Sequence, residues 1–287
     1  MPDTSTAYIA ACPVGCASSL QATDFMLAEG PLQRCPDCGQ LVSQASAARY
    51  QETMSQFNQA DFNQPAGREL ERRNQVARRR LRRIAALLGK PPQSIRLVDV
   101  GCSRGQFVAA AAALGFNAEG VEPAPKIAAA ARSTGLVVHQ GLLEDLGFPD
   151  ATFDALTLFE VVEHLRRPQD LLRECLRVLK PGGVLVISTG NTASWTVGVM
   201  GARWDYFDMT RDGGHISFFN PASLRKLAAS SGFEIARIET ARVRFHDKAA
   251  TPRPRYLAGK LLAELLNAPA RLLGRGHDMV AYLRHPP

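Results

Sequence analysis

Three groups of residues in this sequence have the types and the spacing that chemistry requires. Four cysteines form two close pairs near the N-terminus, a pattern typical of a metal site. A glycine turn is followed, 21 residues after its first glycine, by a glutamate, which is typical of nucleoside binding. Two glutamates and a histidine lie within one short run, and a second histidine follows later. These side chains can accept a proton or bind a hard cation.

The cysteine pairs are Cys12–Cys16 and Cys35–Cys38, with 18 residues between them. Spacings of C-x₃-C and C-x₂-C fall within those of structural zinc sites. Because four thiolates leave no open coordination position, we expect a structural zinc ion rather than a catalytic one. The first residues lack the basic and apolar regions of a secretory signal, which favours a cytoplasmic location and a metal site over disulfides.

The glycine turn reads Val-Asp-Val-Gly-Cys-Ser-Arg-Gly over residues 98–105 and joins a predicted strand to a predicted helix. Glycines let the backbone approach a ligand at the end of a strand. The next predicted strand ends in Glu122, whose carboxylate can accept hydrogen bonds from both ribose hydroxyls. A dinucleotide site would carry a third glycine, but Phe107 and Val108 follow Gln106. The sequence therefore favours a nucleoside ligand without a pyrophosphate.

The acidic run follows the predicted fourth strand, which ends in Phe159 and continues as Glu160–His164. His215 lies in a later loop. The carboxyl end of a central strand is where open α/β sheets bind ligands. Glu160, Glu163, His164 and His215 are therefore candidates for a catalytic base or a divalent-metal site. The structural alternative is that Glu163 and His164 cap the next helix and line the ligand pocket.

The elements that must position these residues form a regular series from about residue 91. Short apolar strands alternate with helices, and two final strands enclose a helical insertion at about 250–275. This pattern predicts an α/β fold with a Rossmann-like, doubly wound, seven-stranded mixed sheet. We expect a zinc-ribbon module over residues 1–45, a linker and basic helix over 46–90, and the α/β domain over 91–287.

Two predicted surface features could bind a partner, but the sequence does not decide which one. The net charge is +7, and eight arginines lie between Arg68 and Arg83. They could bind the phosphates of a nucleic acid or an anionic membrane surface, or they could form a solvated helix face. The predicted helix over 256–273 has a leucine stripe that could contact a membrane surface or pack on the domain. No stretch approaches the ~18 consecutive apolar residues that span a bilayer.

Residues 95–191 resemble the class I methyltransferases that use S-adenosylmethionine (SAM). Their first motif, an acid followed by Gly-x-Gly-x-Gly, matches Asp99 to Gly105, with Ser103 in place of the middle glycine. Residues 141–146 are similar to the loop that flanks the adenine in that family. Residues 148–154 and 179–183 are similar to its approaches to the fourth and fifth strands.

The resemblance implies that SAM is the cofactor and that an acid and the turn surround its amino-acid part: Asp99, Gly101, Cys102, Ser103 and Gly105. It also implies that Glu122 holds the ribose and that Leu143 or Glu144 contacts the adenine. We expect Phe159 to line the same pocket. The run Glu160–His164 with His215 resembles two branches of the family: quinone-pathway O-methyltransferases, and the enzymes that methylate the 3′ end of small RNAs. In the second branch, two glutamates and two histidines bind a divalent metal.

Three functions remain open on the sequence. The first is methyl transfer to a small metabolite or glycan precursor, with an oxygen favoured over a carbon or nitrogen as the methylated atom. The second is RNA methylation, in which the zinc ribbon and the arginine-rich helix grip the nucleic acid. The third is SAM binding without catalysis.

Overall fold

The computed structural model describes residues 7–58, 66–246 and 251–287. Parts of the predicted zinc module, linker and insertion (1–6, 59–65 and 250) lie outside these residues. The strands within them are β1 (Gln21–Leu27), β2 (Gly30–Arg34), β3 (Leu41–Val42), β4 (Arg96–Val100), β5 (Asn117–Glu122), β6 (Val138–Gln140), β7 (Phe153–Phe159), β8 (Leu179–Gly190), β9 (Ser217–Phe218), β10 (Glu234–Ala241) and β11 (Asp278–Arg284).

The α-helices in the described part of the chain connect and flank these strands. They are α1 (Ala47–Met54), α2 (Gly67–Leu88), α3 (Gln106–Ala112), α4 (Pro125–Arg132), α5 (Pro168–Val178), α6 (Trp195–Met200), α7 (Met209–Asp212), α8 (Pro221–Ser230) and α9 (Arg253–Leu272). None of these helices has the length and apolar character that crossing a membrane requires.

The central sheet has seven strands in the order β10-β11-β8-β7-β4-β5-β6. Strands β4 to β8 pair in parallel, whereas β11 is antiparallel to both of its neighbours. The predicted Rossmann-like, seven-stranded mixed sheet is therefore confirmed. The chain runs outward from β4 to β6 and then crosses to β7 on the other side of β4. The order of the strands therefore reverses direction at β4, between β5 and β7. In open α/β sheets, ligands bind at such a reversal, beside the carboxyl ends of the strands.

The strands at this reversal are buried on both faces. Val98 and Leu158 are fully buried, and so is most of the rest of β4 and β7. Continuous apolar strands of this kind are typical of parallel sheets covered by helices. On one face, α2 packs through Ala77, Leu81 and Ile84, whose spacing places them on one side of the helix.

The cysteine-bearing N-terminal segment is joined to the α/β domain by strand pairing. β1, β2, β3 and β9 form a second sheet, in which Leu41 pairs with Phe218 and Val42 with Ser217. The buried Gln40 Nε2 donates to Ser217 Oγ at 2.7 Å. The N-terminal sheet is thus completed by a strand from the middle of the domain, two residues after His215.

Part of the predicted linker folds against the domain. α1 begins after Ser46, whose side chain accepts a hydrogen bond from the backbone N–H of Arg49. The Tyr50 hydroxyl donates to the backbone oxygen of His164 at 2.9 Å. Phe57, just beyond the helix, meets the His164 ring edge to face, with 5.4 Å between centroids. This segment therefore lies against a predicted site residue.

Candidate functional site

The turn between β4 and α3 leaves its backbone free of bulky side chains. Gly101 and Gly105 have φ values of +74° and +75°, where glycine is favoured. A Cβ on Gly105 would lie 2.4 Å from Leu136 Cδ1. Ser103, at the position where the family motif has glycine, also takes a left-handed conformation, with φ at +49°. This strained backbone persists because the Ser103 N–H donates to Glu122 Oε2 at 2.8 Å.

Glu122 lies at the carboxyl end of β5 and faces the turn. Its second oxygen, Oε1, accepts from the backbone N–H of Ala124 at 2.9 Å. Burial raises the pKa of this carboxyl, while the two N–H donors act in the opposite direction. Each carboxylate oxygen has a further lone pair. The arrangement can therefore accept two hydroxyl donors while it holds the turn in place.

Asp99 and Cys102 are both buried at the turn, and Asp99 lies close enough to Arg80 and Glu122 for their charges to act on its carboxyl. Asp99 is buried and accepts from Thr157 Oγ1 at 2.5 Å, and burial raises its pKa to about 7. The Cys102 thiol packs against β5, because a Cβ on Gly120 would lie 2.5 Å from its sulfur. Cys102 can thus contribute to a ligand only through its backbone, whose N–H is held by the Val121 carbonyl at 3.0 Å.

The predicted adenine contacts lie on a short turn after β6. The Leu143 side chain is buried in the main core, so only its backbone can face a ligand. Glu144 is exposed, and partial burial of its carboxyl raises its pKa. The structure places this turn next to the end of β5, where Gly141 N–H donates to the Glu122 carbonyl oxygen at 3.2 Å.

Phe159 lies at the end of β7 and is covered by an arginine that the sequence analysis did not assign to the site. The guanidinium carbon of Arg80, from α2, lies 4.4 Å from the centroid of the Phe159 ring. Burial lowers the pKa of Arg80, and the carboxylate of Glu160 opposes that effect. A cation is therefore held at the strand end that carries the acidic run.

The acidic run is organised around the hydroxyl of Tyr206. Glu160 has a left-handed backbone, with φ at +56°. Its carboxylate accepts from Ser188 Oγ at 3.0 Å and from the Tyr206 hydroxyl at 2.7 Å. The Tyr206 hydroxyl also contacts Glu163 Oε1, and it lies 3.1 Å from Thr189 Oγ1.

The single phenolic proton of Tyr206 can be donated to only one of the two carboxylates at a time. Glu163 is fully buried, and burial together with the charge of Glu160 raises its pKa well above the ordinary value. A protonated Glu163 can donate to the Tyr206 oxygen, and Tyr206 can donate to Glu160. Burial likewise raises the pKa of Tyr206 well above its usual range.

The two predicted histidines adjoin this network. The rings of His164 and His215 lie 4.7 Å apart between centroids. His215 Nδ1 donates to the Tyr206 backbone oxygen at 3.0 Å, which leaves Nε2 as an acceptor. Burial lowers the pKa of His215 to about 4 and that of His164 well below its ordinary value. Both rings are therefore neutral near pH 7.

Glu163, His164 and His215 could together hold a metal ion. One ligand atom from each lies within 4.8 Å of the others. Glu163 Oε2 and His164 Nδ1 are buried and have no hydrogen-bond partner among the described residues. Buried polar atoms without partners are costly and suit a missing ligand. Glu160 does not belong to this group, and its carboxylate instead contacts Tyr206 and Ser188.

The four cysteines of the N-terminal segment form a second candidate metal centre. Their sulfurs lie within 4.8 Å of one another, and all four side chains are buried. The Cys12 and Cys38 sulfurs are 3.7 Å apart, close to the ~3.8 Å that tetrahedral zinc with ~2.3 Å bonds would impose. Donation from the Cys38 thiol lowers the pKa of Cys12 to about 5. This donor set fits a zinc ion.

Comparison with known proteins places the turn and the acidic run in one family. A family model described as a methyltransferase domain matches residues 70–238, more than half of the 287 residues. The match includes the glycine turn, Glu122, Glu163 and His215, but not the cysteine pairs.

Two curated relatives share a name. The ubiquinone biosynthesis O-methyltransferase of Cereibacter sphaeroides is 36% identical over 122 residues, which are 40% of this chain and 49% of that protein. The enzyme of the same name from Xanthomonas axonopodis pv. citri is 32% identical over 166 residues, 54% of this chain and 69% of that protein. The match thus spans about half of the first relative and just over two-thirds of the second.

A solved structure shows the same fold. The SAM-dependent methyltransferase from Archaeoglobus fulgidus superposes with a TM-score of 0.52 at 21% identity, covering 74% of this chain and 94% of that one. At this level of identity the likeness establishes the α/β architecture alone.

Proposed function

This chain belongs to the methyltransferase-domain family, and from that premise we propose that it transfers the methyl group of SAM to a hydroxyl oxygen of a small-molecule acceptor. The observation that carries the proposal is the buried cluster of Glu163, His164 and His215 beside the strand ends that hold the turn and Glu122. Methylation of oxygen requires removal of one proton, and this cluster offers neutral imidazoles for it. The names of the curated relatives support the same reaction class.

The cofactor pocket is proposed to use the residues at the reversal of the sheet. Glu122 would accept from the ribose hydroxyls, and the backbone of Gly101–Gly105 would surround the amino-acid part of SAM. Arg80 is well placed to pair with the carboxylate of that part, because its guanidinium lies over Phe159 at the same strand end. The Leu143 backbone would face the adenine.

The acceptor hydroxyl is proposed to bind on the side of Tyr206 and the histidines. Transfer needs the attacking oxygen, the methyl carbon and the departing sulfur in line, so catalysis consists mostly of positioning. His215 would take the proton, since its Nε2 is an acceptor and burial keeps the ring neutral. Tyr206 would hold Glu160 and Glu163 in place through its shared hydroxyl.

A divalent cation fits the same cluster. Glu163, His164 and His215 would hold it through one oxygen and two nitrogens, among them the buried atoms that have no partner among the described residues. When bound, such an ion would lower the pKa of an acceptor hydroxyl. Metal binding would also require the Glu163 carboxyl to be ionised, because a metal ligand must be deprotonated.

The arrangement of α2 does not favour RNA as the acceptor. Arg72 and Arg73 pair with Glu69, and Arg83 pairs with Glu239. Arg80 faces the proposed cofactor pocket. Half of the eight arginines are thereby engaged within the protein, which weakens the case for a phosphate-binding stripe.

The acceptor class can be tested by offering labelled SAM to the protein together with fractionated cell extract. We expect the label to enter a small-molecule fraction and not RNA, and we expect a His215→Asn variant to leave both unlabelled. Label in RNA would overturn the proposal in favour of RNA methylation. Tight SAM binding without transfer to any fraction would instead indicate a non-catalytic SAM-binding protein.

The cysteine cluster is proposed to hold a structural zinc ion. Replacing both Cys35 and Cys38 by serine should reduce zinc from about one ion per chain to almost none. Because zinc binding supplies folding free energy, the melting temperature should also fall by ~10 °C. Metal analysis by mass spectrometry and thermal unfolding measure the two effects.

The matched control is Cys175→Ala, because Cys175 is also buried but lies in α5, outside the cluster. This variant should keep its zinc. A wild-type protein purified without zinc, or a double variant that retains it, would contradict the assignment.

A further inference from the structure

Helix α9 presents a row of leucines to the outside of the molecule. Six leucines, five in α9 and one directly after it, are between 51% and 87% exposed: Leu257, Leu261, Leu262, Leu265, Leu272 and Leu273. We call this surface the leucine face. A contiguous exposed apolar surface on a soluble domain usually marks an interaction site.

The opposite side of α9 already attaches the helix to the domain. Ala263 and Ala270 are buried against Val243, with Trp195 and Phe245 packed around them. The Asn267 side-chain oxygen also accepts from the Val243 backbone N–H at 2.8 Å. A helix that served only the core would turn its leucines inward and its alanines outward. The leucine face is therefore not needed to hold α9 in place.

The charges on α9 indicate what the leucine face meets. Arg253, Lys260 and Arg271 are exposed, and their spacing of seven and eleven residues places them along one edge of that face. With Arg255, the helix has four basic residues against the single acid Glu264, a net charge of 4 − 1 = +3. Leucines bordered by basic side chains suit an anionic lipid surface. A two-fold contact with a second copy would bring like charges together.

We propose that the leucine face of α9 docks the protein on an anionic membrane surface. Docking of this kind does not depend on the proposed methyl transfer.

The test uses the full chain and vesicles of phosphatidylcholine with and without about 30% phosphatidylglycerol. Wild-type protein should sediment with the anionic vesicles. The double variant Leu261→Ser/Leu265→Ser should bind them about tenfold or more weakly. The variant Lys260→Gln/Arg271→Gln should lose about tenfold on anionic vesicles only.

The matched control is Val137→Ser, because Val137 is 59% exposed but precedes β6, at the opposite edge of the sheet from β10. This variant should bind vesicles like wild type, and all variants should keep the wild-type melting temperature. Equal vesicle binding by wild type and the leucine variant would overturn the proposal. So would a wild-type dimer that ignores vesicles and dissociates when the leucines are replaced, since the face would then bind a second copy. Vesicle binding is read without any acceptor, so its outcome is independent of whether methyl transfer is found.

Discussion

Replacing Glu122 by glutamine is expected to weaken SAM binding by roughly 10²- to 10³-fold. The carboxylate would lose two charge-assisted hydrogen bonds from the ribose hydroxyls, each worth ~1.5–3 kcal/mol. It also now accepts from the N–H groups of Ser103 and Ala124. A glutamine has one acceptor oxygen, so its NH₂ group would face one of these donors and loosen the turn.

Calorimetric titration with SAM measures this effect directly. The matched control is Glu119→Gln, because Glu119 lies in the same strand but pairs with Arg96 and His139 away from the turn. The control variant should bind SAM within about threefold of wild type, and both variants should be folded by circular dichroism. Equal SAM affinity of the Glu122→Gln variant and wild type would remove the ribose assignment.

The turn and Glu122 could be predicted from the sequence because their geometry is local. A strand, a glycine-containing turn and a helix follow one another within residues 96–112, and the next strand delivers Glu122 to the neighbouring position in the sheet. The fold followed from the same alternation of strands and helices. The Ser103 substitution in the motif is accommodated because its left-handed backbone is held by Glu122.

Residue type alone did not identify Arg80 as a site residue, because it is one of eight arginines between Arg68 and Arg83. A signal was nevertheless present in the spacing. Arg80 lies three residues after Ala77 and four before Ile84, both of which α2 buries. It therefore sits on the helix face that turns toward the sheet.

The contacts that complete the acidic cluster are long-range, and no local pattern encodes them. Tyr206 reaches Glu163 across 43 residues, and Gln40 reaches Ser217 across 177. The pairing of β3 with β9 brings the cysteine-bearing segment to the strand that follows His215. Ile216 N–H in turn donates to the Glu163 carbonyl oxygen at 3.0 Å. The predicted zinc module thus packs against the segment that holds Glu163 and His215 in place. The spacing of its cysteines does not predict this contact.

Replacing His215 by asparagine is expected to lower the rate of methyl transfer by roughly 10²- to 10⁴-fold while leaving SAM affinity nearly unchanged. Asparagine can still donate to the Tyr206 carbonyl oxygen, as His215 Nδ1 does at 3.0 Å, but it has no basic nitrogen in place of Nε2. Since burial lowers the pKa of His215 to about 4, the wild-type ring should stay unprotonated, and able to accept a proton, down to about pH 5.

Kinetic measurement of kcat beside calorimetric SAM affinity checks this prediction, with His277→Asn as the matched control. His277 is a buried histidine whose Nδ1 accepts from Trp204 Nε1 at 3.2 Å, and an asparagine oxygen can replace it. Its kcat should remain within about threefold of wild type. If His215→Asn transferred methyl groups as fast as wild type, neither a base nor a metal ligand could be assigned to this position. Rates after removal of divalent cations by a chelator, and after re-addition of Mn²⁺, then separate the two roles. A cation bound by Glu163, His164 and His215 makes wild-type activity depend on the added metal, whereas a histidine acting alone leaves it independent.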